Sequence, residues 1–255
     1  MKYRRLSFIC LLAAFLVVAL SANAFADAID QDTPFGVNEN GETYGNYFQS
    51  MEAGIDPDLI YAQGENGILG YVRASDLEEP LPESPEAALA LQAERQASGY
   101  TGHYINLYNS DGVTIIGRYW VDAGTSGNNS ISTRSVITYS AFSELSSINY
   151  DFRARSFVQR ATNGVTYGAE LYSSEMMQAG ELAVKVHLYN FDTGALVNSP
   201  IYMYSTVPGD VYSYSALYRT SSGVYYSKGF ARGFDREEGV WGTFGLRPTG
   251  NCQII

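Results

Sequence analysis

The chain predicts a mainly β protein: an antiparallel β-sandwich preceded by a small α+β region. Three observations carry this. After Tyr100, runs rich in Tyr, Val, Phe and Ser are broken about every ten residues by turn-forming residues. Within "ELAVKVHLYNF" (Glu181–Phe191), Leu182, Val184, Val186 and Leu188 alternate with Ala183, Lys185, His187 and Tyr189, the period of a strand with one core face and one wet face. Near Ala123 the charge changes, and the one well-punctuated helix of the mature chain lies before that point.

The N-terminus reads as a secretory signal peptide over residues 1–26. Lys2, Arg4 and Arg5 precede the apolar run Leu6–Leu20, and Ala22-Asn23-Ala24 and Ala24-Phe25-Ala26 offer small residues for cleavage. The expected localisation is extracellular. A membrane span needs roughly 20 apolar residues, and no later segment is that long and apolar, so no stable membrane insertion is expected after cleavage. Cys10 lies inside the apolar run, where a lipidated cysteine does not. Cleavage leaves Cys252 as the one cysteine, which excludes an intramolecular disulfide. It reads as a bystander near the terminus, with an intermolecular link as the alternative, and the expected form is a monomer.

Residues 27–35 are polar and aperiodic, a disordered leader. Residues 36–121 form the small acidic α+β region. In "PDLIYAQGENGILGYVRASDL" (Pro57–Leu77) two apolar runs flank the turn signal Gly64-Glu65-Asn66-Gly67, which predicts a hairpin. Pro80 and Pro82 break the chain. "SPEAALALQAERQASG" (Ser84–Gly99) is then a helix, with Ser84 as N-cap, Pro85 at the first helical position, Glu86 at the positive end and Gly99 as the stop. "INLYNSDGVTIIG" (Ile105–Gly117) and "VHLYNFDTGALVNS" (Val186–Ser199) share Leu-Tyr-Asn, an Asp and a Gly. Asn and Asp tolerate tight turns and Gly supplies positive φ, so each reads as a hairpin turn. The Gly- and Ser-rich residues 122–131 read as a linker, and residues 132–255 as the β-sandwich domain.

Residues Asp27–Asp122 hold 17 acidic and 3 basic side chains, whereas Ala123–Ile255 hold 10 of each. A chain this acidic lacks the clustered Lys and Arg that nucleic acid or anionic lipid requires, so neither is an expected partner.

Catalytic materials are sparse. His103 and His187 each sit in a predicted strand with no second His or Cys at a ligand spacing, so no metal is expected. No Gly-x-Ser-x-Gly elbow appears. "GENGILG" (Gly64–Gly70) has no following Lys and opens no helix, so it is no phosphate loop. The pairs Glu78-Glu79 and Glu237-Glu238 are ordinary in so acidic a chain and do not point to glycoside hydrolysis. No catalytic residue and no cofactor are assigned. Binding falls to the tyrosines. Tyr212, Tyr214 and Tyr218 share one face of a predicted strand, and Val211 and Leu217 lie on the other. With Val and Leu taken as core, the three rings face outward as a candidate binding surface. The opposite orientation, with the rings in the core, is the alternative, since Ser213 and Ser215 also read as exposed.

"QAGELAVKVHLYNFDTGALVNS" (Gln178–Ser199) followed by "SSGVYYSKGFARGF" (Ser221–Phe234) resembles a pattern in uncharacterised secreted proteins of Gram-positive bacteria. "NENGETYGNYF" (Asn38–Phe48), with the Asp56–Gln92 stretch and "INLYNSDGVTIIGRYWV" (Ile105–Val121), is similar to a region of other secreted or peptidase-associated Gram-positive proteins. The resemblances cover most of the mature chain and imply a secreted Gram-positive protein. They bring no activity and no site residue. "VWGTFGLRPTG" (Val240–Gly250) departs from the usual Gly-Tyr-rich close. The resulting expectation is a non-enzymatic interaction module that binds a cell-wall glycan or envelope protein through an aromatic β surface. A secreted hydrolase with dispersed catalytic residues is one alternative. An inhibitor or bacteriocin-like factor acting on a membrane peptidase is the other.

Overall fold

The computed structural model describes residues 34–124, 136–146 and 149–254. The signal peptide, the leader through residue 33 and residues 125–131 of the linker lie outside the described residues. The N-terminal part opens with β1 (Gly36–Val37), β2 (Thr43–Gly45) and helix α1 (Tyr47–Ala53). Asn46 caps α1: its side chain accepts from Phe48 N and Gln49 N, and the Gln49 side chain reaches back to the Asn46 amide. The hairpin predicted around Gly64–Gly67 forms from β3 (Leu59–Gln63) and β4 (Leu69–Arg73). Asn66 and Gly67 take the positive φ that the turn requires. A four-residue helix, α2 (Ala74–Leu77), follows, then α3 (Pro85–Ala97), whose N-cap Ser84 accepts from Ala87 N at 3.2 Å. β5 (Gly102–Tyr108) and β6 (Ile115–Asp122) close across the first Leu-Tyr-Asn turn.

The C-terminal part supplies β7 (Ile137–Tyr139), β8 (Ser143–Ser146), β9 (Asp151–Ala161), β10 (Gly164–Met177), β11 (Leu182–Asn190), β12 (Leu196–Pro200), β13 (Met203–Tyr204), β14 (Gly209–Arg219), β15 (Gly223–Asp235), β16 (Val240–Gly245) and β17 (Cys252–Ile254). The second Leu-Tyr-Asn stretch is the turn between β11 and β12. There Asn190 Oδ1 accepts from Asp192 N and Thr193 N, and Gly194 takes φ 69°.

Two sheets pack face to face. One has the order β14-β10-β9-β7, with β8 also on β9. The other runs β1-β2-β3-β4-β5-β6-β12-β11-β15-β16, with β13 on β11, β17 on β15 and a further β3–β12 pairing. Between them lies a core that includes Phe152, Tyr167, Leu171, Leu182, Val184, Val186 and Leu188. The mainly β, sandwich-like class is therefore the observed one. Both the acidic region and the tyrosine-rich region contribute strands to the larger sheet, and Phe35–Ile255 is one compact unit.

The junction is a ring of pairings. β3, β4, β5 and β6 pair antiparallel in sequence, β6 pairs parallel with β12, and β12 pairs parallel with β3. Ile60, Ala62, Val72, Leu107, Tyr119, Val121 and Leu196 cluster in its core. The acidic region thereby folds over the second face of β11 and β15. Lys185, His187 and Tyr189, expected on a wet face, are 5%, 3% and 2% exposed. Strand alternation is present, but both faces of β11 are covered: the second sheet takes one and residues of the acidic region the other.

Candidate functional site

The face expected to bind is a core face. On β14, Tyr214 is 4% exposed, Tyr212 and Tyr218 pack against the same core cluster, and Val211 on the other side is 48% exposed. The orientation is the reverse of the outward row expected from Val211 and Leu217. Three rings and Ala216 offer far more apolar area than one Val and one Leu, and Ser213 and Ser215 lose nothing by staying wet. No exposed aromatic row exists on β14.

The structure instead gathers cations on the covered face of the larger sheet. Lys185 and His187 are two residues apart on β11. The register places Phe230 beside Lys185, Lys228 beside His187, and Arg232 beside Ala183. Side chains two apart on a strand are about 7 Å apart on one face. Opposite them runs the segment from α2 through Leu81. Between sheet and segment lies a cleft of about 520 Å³, within the size range of small-molecule sites. Lys185, His187, Arg232, Phe230, Tyr202 and Glu79 are among its lining residues.

Each polar group is held in place. Lys185 Nζ donates to Leu77 O at 3.1 Å, at the end of α2. The Arg232 guanidinium lies over the Tyr202 ring at 3.6 Å, and donates to Tyr204 Oη at 3.0 Å and Glu79 O at 3.1 Å. His187 Nδ1 is 3.2 Å from Tyr189 Oη. If the Tyr189 hydroxyl donates to Nδ1, His187 Nε2 carries the ring hydrogen and is a donor. That Nε2 and Arg232 Nε are buried and have no hydrogen-bond partner among the described residues.

The carboxylates nearby are engaged elsewhere. Glu79 Oε1 pairs with Arg95 at 2.8 Å, and Oε2 accepts from Tyr202 N at 2.7 Å. Asp56 pairs with Lys228 at 3.2 Å. Among the described residues no ion pair reaches Lys185 or Arg232. Their oxygen partners are neutral. Burial pushes the Lys185 ammonium down to about 8, with Arg232 adding to the effect and Glu79 opposing it. Burial, then Lys185 and Lys228, holds His187 well below its ordinary value, so it is neutral at neutral pH. The cleft thus offers two buried cations and a neutral imidazole beside the apolar Phe230 and Leu81. That is the chemistry of an anion receptor with an apolar wall.

Among the described residues no serine or cysteine lines the cleft, so they assemble no Ser-His-acid arrangement there. The other histidine, His103, is exposed, with Nδ1 2.6 Å from Tyr100 Oη. Among the described residues no cluster of three His, Cys, Asp or Glu could hold a metal, and no helix is long and apolar enough to cross a membrane. One signal of this cleft was present in the sequence. Lys185/His187 and Lys228/Arg232 recur at even spacing within two strongly apolar strands, downstream of the acidic region that supplies their cover.

No protein-family model matches the chain, and no curated protein matches it.

Proposed function

We propose that the protein is a secreted, non-enzymatic binding module that takes an anionic group into the Lys185–His187–Arg232 cleft. The group would be a carboxylate or phosphate borne by a cell-envelope glycan or protein. The observation that carries this reading is a pair of buried cations with no carboxylate partner among the described residues. Burying an ion costs several kcal/mol unless it is paired. Lys185 and Arg232 latch the Leu77–Glu79 backbone to the sheet, yet two carbonyls and a hydroxyl do not neutralise two positive charges. An anion entering the cleft would meet that charge and the two free donors.

The net charge of −11 opposes anions at long range. At physiological salt that field decays over about 8 Å, so an anion inside the cleft is governed by the cations that touch it. Binding should therefore lack the electrostatically steered on-rates of a basic protein.

Co-sedimentation with purified Gram-positive cell wall tests the proposal. The wild type should pellet, inorganic phosphate should release it at constant ionic strength, and Arg232→Gln and Lys185→Met should stay in solution. Retention that is indifferent to phosphate and to both substitutions would refute the cleft as the binding site.

A further inference from the structure

We propose that a second cleft, at the seam between β6 and β12, binds an uncharged sugar; this does not depend on the anion reading. The two strands pair parallel over only Val121–Ser199 and Asp122–Pro200, and β12 meets β3 only at Leu196–Ala62. Between those contacts the ladder opens. A cavity of about 380 Å³ fills the opening, lined among others by Tyr119, Trp120, Asp122, Asn198, Tyr218 and Gln63.

The lining combines aromatic rings with planar polar groups. Trp120 and Tyr218 are half-buried, and each presents an apolar ring with a polar tip. Asn198 and Gln63 add amide groups that can serve hydroxyl edges. A sugar ring has the complementary character, with apolar C–H faces and a rim of hydroxyls. Glu65, Asp122 and Arg219 are its charged lining residues and sum to one negative charge, which disfavours an anion and separates this cleft from the cationic one.

The second observation is a hydroxyl in want of a partner. Tyr119 is 1% exposed, and its Oη is buried without a hydrogen bond. Such groups are uncommon and costly in folded proteins. Tyr218 and Asp122 both act on that hydroxyl electrostatically, and burial, Tyr218 and Asp122 together hold its proton on well above the ordinary range. Tyr119 and both of those residues line the cavity. The Oη has no surface on the cavity in the structure, so a ligand hydroxyl completes its hydrogen bonding only once the side chain turns toward it.

Isothermal titration with two neutral probes, chitotetraose and cellotetraose, tests this on the mature protein. At least one should bind. Tyr119→Phe should weaken it about three- to tenfold, the worth of one neutral hydrogen bond, with a melting temperature equal to or above that of the wild type, because the hydroxyl has no protein partner to lose. Trp120→Leu should weaken it about tenfold through loss of the ring. Lys185→Met should bind the sugar as the wild type does, so failure of the anion site is distinguishable from failure of this one. If neither sugar binds, or if Tyr119→Phe and Trp120→Leu both bind with wild-type affinity, the proposal is overturned.

Discussion

Replacing Lys185 with methionine should stabilise the protein at neutral pH and remove a pH dependence. Methionine nearly preserves the length of the side chain and deletes the charge. Lys185 is 5% exposed, and burial pushes its ammonium down to about 8 from its ordinary 10.5. At about 1.4 kcal/mol per pH unit, that difference corresponds to a penalty of about 3 kcal/mol on the charged form in the folded state. Methionine escapes the penalty but loses the contact with Leu77 O, a hydrogen bond contributing about 1 kcal/mol. The net gain at pH 7 is about 2 kcal/mol. The folded state holds this proton less tightly than the unfolded chain does. Below pH 8 both states are charged and the wild type carries the full penalty. Between pH 8 and about 10.5 the folded amine is neutral while the unfolded one is still charged, so wild-type stability rises with pH. The advantage of the variant should shrink by about 1.4 kcal/mol per unit through that window and reverse within it, at about pH 9.5. Urea denaturation of both proteins at pH 7, 8, 9 and 10, in buffers free of phosphate and sulfate, measures it. The tyrosines titrate alike in both, so their contribution cancels in the difference. A difference that is constant from pH 7 to 10 would show that Lys185 is not a desolvated cation, and the argument for an anion site would fall with it.

Tyr214→Ala should cost about 3–5 kcal/mol by urea denaturation, as for a large ring removed from a core. Tyr214→Phe should be neutral or stabilising, because the buried hydroxyl has no partner. Ser84→Ala should lower stability by about 1 kcal/mol through loss of the α3 N-cap, read as a shift in the urea midpoint at constant slope. Gly164→Ala should destabilise by more than about 1 kcal/mol, since φ is 149° and a Cβ there would lie 2.0 Å from Tyr218 O. A Gly164→Ala protein as stable as the wild type would refute that backbone reading.

The local features were legible in the sequence because neighbouring residues determine them. The turns at Asn109–Gly112 and Asn190–Gly194, the β3–β4 hairpin and α3 with its Ser84 cap all follow from side chains within a few positions. Helix α1 was also available: Asn46 and Gln49 stand at capping-box spacing, and Gly54 closes the helix with φ 72°. The cleft was not legible in this way. Alternation on β11 distinguishes two faces but does not say what covers each. Lys185 and His187 become buried only because the Leu77–Glu79 segment, more than a hundred residues earlier, returns over them. The same limit reversed β14. Two faces with plausible core residues differ in which one a second sheet reaches, and that is decided by pairing with β10 and packing on β11, with Tyr218 against Tyr225 of β15. The parallel β6–β12 contact spans the change in charge, so the composition step near Ala123 coincides with a seam within one compact unit.

The most direct test of the anion cleft is a calorimetric titration of the mature protein with inorganic phosphate at constant ionic strength, at pH 7 and again at pH 9.5. Saturable one-site binding at pH 7, weakened at pH 9.5 where Lys185 has lost its charge, and absent from Arg232→Gln and Lys185→Met, is the expected result. Heats that never saturate, or that persist unchanged in both variants, would contradict it.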